Sequence, residues 1–310
     1  MYIFSIYIVF MQFKVSKKIF AHIDCDCFFA SCEILRNPFL KNKHVCVGSE
    51  IIIACSYSAK ALWIKTWTPI WEAKKILWNN AYFFSPDHNY YIEISEKLMN
   101  YLSYNTLCIE PFSIDEAFCE ITWLPELYKL DLFNYLKLLQ KDILKNIWIP
   151  VSIWVSNTKI KAKIYSKINK PYGIYINFFK EKDLFESLPI SFIPFIWRSY
   201  QEKLKYKAKT IYDFISLWFW ELKKTIWKNA TDLWLELVWV NIFVVKKSPQ
   251  AKSLSKTRSF NNKKTSDYFF LEKQLIKNFD KIYEELTENN FEIKKVAIML
   301  RDVKFRVYLY

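Results

Sequence analysis

The chain has 310 residues, 45 of them basic and 31 acidic, for a formal charge of +14. That length supports a sizeable core and more than one domain, and that charge favours a polyanionic partner, nucleic acid or an acidic membrane face. The seven cysteines, all within the first 119 residues, form no CxxC pair and meet only three histidines, which excludes a common zinc site and fits reduced cytosolic thiols.

Composition holds one anomaly. There are 13 Trp but only 2 Gly, where average usage predicts roughly twenty glycines. Lysine outnumbers arginine 40 to 5, a bias that AT-rich codons produce.

The N-terminal MYIFSIYIVFMQF is too short to span a bilayer and lacks the flanks of a signal peptide. It reads as an extra strand or a disordered lead-in, with Met11 an alternative start. KIFAHIDCDCFFA (18–30) predicts a strand running into a helix. HVCVGSEIIIACSY (44–57) predicts a hairpin around Gly48. In KALWIKTWTPIWEAKK (60–75), Trp63, Trp67 and Trp71 have helical spacing, but Pro69 disfavours a helix through all three. A short helix follows over 72–77 and a longer one over 88–104. CIEPFSIDEAFCEIT (108–122) reads as a strand pair turning near Pro111 and Ser113, and 124–147 as helical. IPVSIWVS (149–156) is a strand, and 157–170 a basic helix capped by Asn157 or Ser156. Short helices joined by tight turns fill 191–217 and 228–241, and 242–249 is a linker. KSLSKTRSF (252–260) reads as a strand with alternate basic residues, 266–288 as a helix and 292–303 as a strand. The mixture predicts an α/β or α+β core.

Asp24 and Asp26 share one strand face, and Asp115 and Glu116 lie in another apolar segment. Carboxylates in apolar strands are costly unless paired or bound to a cation. Three acids from two adjacent strands could hold two Mg2+ ions about 4 Å apart for in-line phosphoryl transfer. By spacing alone, strand-end acids paired with lysines are the better reading.

Five ordered blocks go further: HIDCDCFFASCE (22–33), SYSAKALWIKTWTPIWEAKKI (56–76), EPFSIDEAFCEIT (110–122), PVSIWVSNTKIKAKIYSKINKPYG (150–173) and IPFIWRSYQEKL (193–204). Together they resemble the Y-family, or translesion, DNA polymerases, most closely their bacterial polymerase IV branch. The resemblance runs from about residue 18 to the end. It implies an α+β right-hand polymerase. The palm takes 1–27, with an extension at 1–17, and 86–176; the fingers take 28–85. A helix-hairpin-helix thumb at 177–241, a linker at 242–249 and an incomplete little finger at 250–310 complete it.

The same resemblance assigns Asp24, Asp115 and Glu116, with the Cys25 carbonyl, to two Mg2+ ions. It gives the Cys27 and Phe28 amides to phosphate oxygens and makes Phe29 the steric gate against ribonucleotides. Tyr57 and Lys60 become the triphosphate clamp, with lysine where the family usually has arginine. Lys159 becomes the triphosphate lysine, while Lys161, Lys163 and Lys167 read as a solvated face. Trp197 and Trp239 fall on DNA-gripping hairpins of the thumb, and Lys252, Lys256 and Arg258 on a DNA-tracking strand. The implied partners are primer–template DNA and deoxynucleoside triphosphates, acting on a cytoplasmic monomer with no membrane role. The sliding-clamp peptide usual in the family is not found before Tyr310. The rival reading is a non-catalytic DNA-binding relative.

Trp63, Trp67 and Trp154 fall where the family has glycine, as do Trp197 and Trp239; Trp148 and Trp227 follow the pattern, and Trp234 reads as a genuine tryptophan. This predicts that UGA codons, read as glycine in some bacterial lineages, are written here as tryptophan.

Overall fold

The computed structural model describes residues 18–178, 182–217, 228–238, 240–246, 253–258, 260, 266–302, 304 and 306–309. They fall into two units, 1–248 and 249–310.

The first unit is built on strand β1 (Phe20–Cys25), which is antiparallel to both of its neighbours. Its five-stranded sheet has the order β5-β6-β1-β7-β8, with β5 at Cys108–Pro111, β6 at Glu116–Glu120, β7 at Val151–Ser156 and β8 at Ile174–Ile176. Side chains alternate along β1, so Ala21, Ile23 and Cys25 enter one core while Phe20, His22 and Asp24 face the other way. Helices α4 (His88–Asn105) and α6 (Leu132–Ile147) close the first face, through Tyr91, Leu98, Leu136 and Ile143 among others. Each helix begins on an aspartate: the Asp87 and Asp131 carboxylates accept the amides of Tyr90 and Asn134 at 3.2 and 3.0 Å. The helical pattern expected over 124–147 is therefore broken into a short α5 (Leu124–Leu127) and α6.

On the opposite face lies α7 (Lys159–Ile164), with Thr158 as its cap rather than the expected Asn157 or Ser156. The expected helix to 170 stops at Ile164 and tightens into a 3-10 turn, Tyr165–Lys167. Behind it pack α8 (Lys182–Ser187), α9 (Arg198–Leu204), α10 (Ile211–Ser216) and α11 (Lys228–Leu237), sharing a second core of Trp154, Tyr165, Leu204, Ile211, Phe214 and Leu233.

A smaller sheet, β3-β2-β4, carries the third core. The Gly48 hairpin is as expected: β2 (His44–Gly48) runs antiparallel to β3 (Ile52–Cys55). A Cβ at Gly48 would lie 2.0 Å from the Ile51 carbonyl oxygen, so only glycine fits. Strand β4 (Ala81–Phe84) is parallel to β2. Helix α1 (Phe28–Arg36) leads in from β1, and α2 (Tyr57–Lys60) and α3 (Ile70–Leu77) lie beside the small sheet. Pro69 caps α3, so Trp63 and Trp67 sit in turns and only Trp71 is helical.

In the second unit, α12 (Tyr268–Glu288) is followed by a hairpin of β9 (Met299–Arg301) and β10 (Val307–Leu309). The strand expected over 252–260 is not formed at 253–258, which are irregular. Among the described residues, 253–258 pair with no strand. Among the described residues, no helix is long and apolar enough to cross a membrane.

Candidate active site

The chain leaves β1 at Cys25 and enters α1 at Phe28, turning through Cys27 at a left-handed φ of 50°. This junction places an acid-bearing strand end beside the amides that open a helix. Those first-turn amides have no partner within the helix and attract anions.

Asp24 stands directly opposite Glu116 in the β1–β6 register, and the Cys25 amide donates to the Asp115 carbonyl at 2.9 Å. Adjacent strands thus bring Asp24 and Glu116 together, with Asp115 next to Glu116 in the chain. Ligand atoms of His22, Asp24 and Glu116 lie within 4.8 Å of one another. Burial pushes the Asp24 carboxyl above the usual carboxylate range, against the opposing charge of Lys170. Burial, then the charge of Glu116, pushes Asp115 up as well. Burial also works against Glu116, but His22 and Lys163 outweigh it and hold this carboxyl at about 2.

The site is short of positive charge, and two ammonium groups supply some. Lys170 Nζ donates to Asp24 Oδ1 at 2.6 Å, and Lys163 Nζ donates to Glu116 Oε2. The buried His22 ring places Nε2 at 3.3 Å from the same Glu116 oxygen, with burial keeping the imidazole pKa low. Buried carboxylates that recruit ammonium groups suit hard divalent cations, which prefer oxygen donors. Asp24, Asp115 and Glu116 fit such ions.

Asp26 does something different. It is almost wholly buried and accepts from Ser152 Oγ at 3.0 and 3.1 Å, Tyr57 Oη at 3.1 Å and the Tyr172 amide at 2.7 Å. One carboxylate therefore ties β1, β7, α2 and the loop after Lys170. Tyr57 is held facing the helix junction, and Lys60 Nζ lies 4.6 Å from the Tyr57 ring centroid. Phe29 stacks on Tyr91, ring centroids 4.4 Å apart and planes inclined by 17°, with His88 edge-on at 6.0 Å.

Several expected residues stand elsewhere. Lys159 is buried and gives its ammonium to Glu110 at 2.6 Å and to the Val244 carbonyl at 3.4 Å, not to the acid cluster. One turn further along α7, Lys163 takes the place beside Glu116. Of the solvated face expected of Lys161, Lys163 and Lys167, only Lys167 is exposed. Lys161 is fully buried, Lys163 pairs with Glu116, and Lys167 lies 3.7 Å from the Phe192 ring centroid. Trp197 is exposed, precedes α9, and accepts the amides of Tyr200 and Gln201 on its carbonyl. Lys256 pairs with Glu285, and Arg258 donates to Gln274. Trp227, Trp239 and Lys252 lie outside the described residues. Sequence reasoning missed His22, Lys163 and Lys170; charge complementarity to the acids was the one available signal.

The fold is that of a right-hand polymerase. A family model described as the impB/mucB/samB family matches residues 23–167. Residues 23–167, just under half of the chain, carry this likeness. It is 28% identical over 303 residues to a DNA polymerase IV of Staphylococcus aureus, covering 94% of this chain and 90% of the relative. It is 33% identical over 229 residues to a DNA polymerase IV of Oceanobacillus iheyensis, covering 71% and 54%. A solved Y-family polymerase chimera of Dbh and Dpo4 shares the fold, with a TM-score of 0.72, 24% identity and coverage of 94% and 86%.

Proposed function

We infer that this chain is a template-directed DNA polymerase of the error-prone translesion type, extending a primer 3′ end with deoxynucleotides. The observation that carries the reading is the pairing of Asp24 with Glu116 across adjacent strands, Asp115 adjoining, beside the opening of α1. The five-stranded sheet would serve as palm, the small sheet with α2 and α3 as fingers, and α8 to α11 as thumb. Residues 250–310 would form the little finger.

Asp24, Asp115, Glu116 and the Cys25 carbonyl would hold two Mg2+ ions. When bound, these activate the primer hydroxyl and offset charge on the leaving pyrophosphate. The chain's own groups do the rest. His22 and Lys163 fix one oxygen of Glu116. The Cys27 and Phe28 amides, Tyr57, Lys60 and Lys170 receive the triphosphate, so that Lys170 takes the role expected of Lys159. Lysine at position 60 keeps the charge but lacks the bidentate fork of arginine. Phe29 blocks a ribose 2′-hydroxyl. Primer–template DNA and deoxynucleoside triphosphates are the substrates, met in the cytoplasm by a monomer.

Primer extension with Mg2+ tests the reading, with Asp115→Ala as control. Extension by the chain and its loss in the control supports it. Equal extension by both refutes the metal assignment, and binding without extension by either leaves the non-catalytic relative as the answer.

A further inference from the structure

The tryptophans do not behave as tryptophans. Trp63, Trp67, Trp78 and Trp148 have φ of 67°, 77°, 50° and 65°. Positive φ is an outlier for a bulky L-residue, because Cβ crowds the backbone. Glycine takes it without that penalty.

The hydrogen bonding says which motif each position serves. Trp148 closes α6 in the left-handed conformation, its amide on the Leu144 carbonyl, the place helices give to glycine. Trp78 closes α3 at φ 50° and ψ −139°, a quadrant open essentially to glycine. Trp63 follows α2 with its amide on Lys60, and the next amide, of Ile64, reaches back to Ala59. Trp67 turns beside β3, its amide on the Ile52 carbonyl at 2.7 Å.

Nothing compensates the strain. The four side chains are 79%, 75%, 75% and 69% exposed. Among the described residues none of these indoles makes a hydrogen bond or ring contact. Of the two other aromatic residues with positive φ, Tyr172 and Phe195, the second has its ring against Phe112, centroids 6.0 Å apart. Trp234 is the contrast. It lies within α11, half-buried, with Nε1 donating to the Ile215 carbonyl at 2.8 Å.

We propose that positions 63, 67, 78 and 148 are glycine in the protein as its own cell makes it, inserted by a glycine-charged tRNA that decodes UGA. The 2 glycines against 13 tryptophans follow from the same event. Position 78 is assigned by backbone geometry alone. Trp197, at φ −68°, and Trp154, in β7 with Nε1 on the Ile168 carbonyl, have backbones that suit either residue. The inference stands apart from the polymerase reading, since it uses only backbone geometry, exposure and composition.

Peptide sequencing by tandem mass spectrometry of the protein from its source cells tests it directly. Glycine at the four positions and tryptophan at 234 is expected; tryptophan at 63, 67, 78 and 148 overturns it. The gene gives a second readout: UGA at those four codons and UGG at 234 is expected, and UGG at all five overturns it. A recombinant chain carrying Trp63→Gly, Trp67→Gly, Trp78→Gly and Trp148→Gly should melt at a higher temperature than the sequence as written. An unchanged or lower midpoint contradicts the strain argument.

Discussion

Asp115 shows the trade between stability and function at the level of one side chain. Its carboxylate is half-buried and repelled by Glu116, so it costs the metal-free protein stability. Asp115→Asn should raise the thermal midpoint of the metal-free protein and abolish both primer extension and stabilisation by Mg2+; calorimetry with and without Mg2+ reads each effect. His22 acts one step removed, by fixing Glu116. His22→Leu should weaken Mg2+ binding roughly 10–100-fold, the range typical of lost partners behind metal ligands. His22→Gln keeps a nitrogen donor near the Nε2 position and should retain most of the affinity, as isothermal titration would show. Phe29→Ala removes the ring stacked on Tyr91 and should raise ribonucleotide insertion relative to deoxynucleotide by about tenfold or more. The acids were legible through the ordered blocks, whereas spacing alone favoured acids paired with lysines, and Lys170 and Lys163 do pair with Asp24 and Glu116. Lys170 was not, because spacing over 157–170 assumed a helix that in fact stops at Ile164, and Lys163, inside that helix, was read as solvated because helical period does not say which face meets the sheet. Faces read from that period do not exist beyond it.

Among the elements, α6 and α11 make opposite electrostatic demands. Asp131 caps α6 through the Asn134 amide, and Asp131→Ala should lower the midpoint of chemical denaturation. Glu236 on α11 is buried and accepts the Ile242 and Phe243 amides, each at 2.6 Å, on one oxygen. Burial pushes its pKa above the ordinary value despite those bonds. The native state therefore holds this proton more tightly than the unfolded chain. The contribution is fully present below the ordinary carboxylate range and is lost as pH rises through the raised value. Glu236→Gln keeps the accepting oxygen and should flatten that decline when thermal midpoints are compared across pH. Element existence was read well where patterns were long: α4, α12 and the Gly48 hairpin stand where periodicity put them. Strands β4 and β8, of four and three residues, were too short to show a period. The alternation at 252–260 misled because alternation supplies a face but no partner strand.

For the whole molecule, the central claim is that strand pairing, not local sequence, assembles the chemistry. Asp24 and Glu116 are far apart in the chain and adjacent in the sheet, while α1 opens beside them. The lysines on these acids stand where cations belong. Crystals of the full chain with primer–template DNA, a deoxynucleoside triphosphate and Mn2+ would show this by anomalous scattering. The account predicts manganese peaks against Asp24, Asp115 and Glu116, with Lys170 drawn off Asp24. Manganese bound elsewhere, with Lys170 still seated on Asp24, would contradict it.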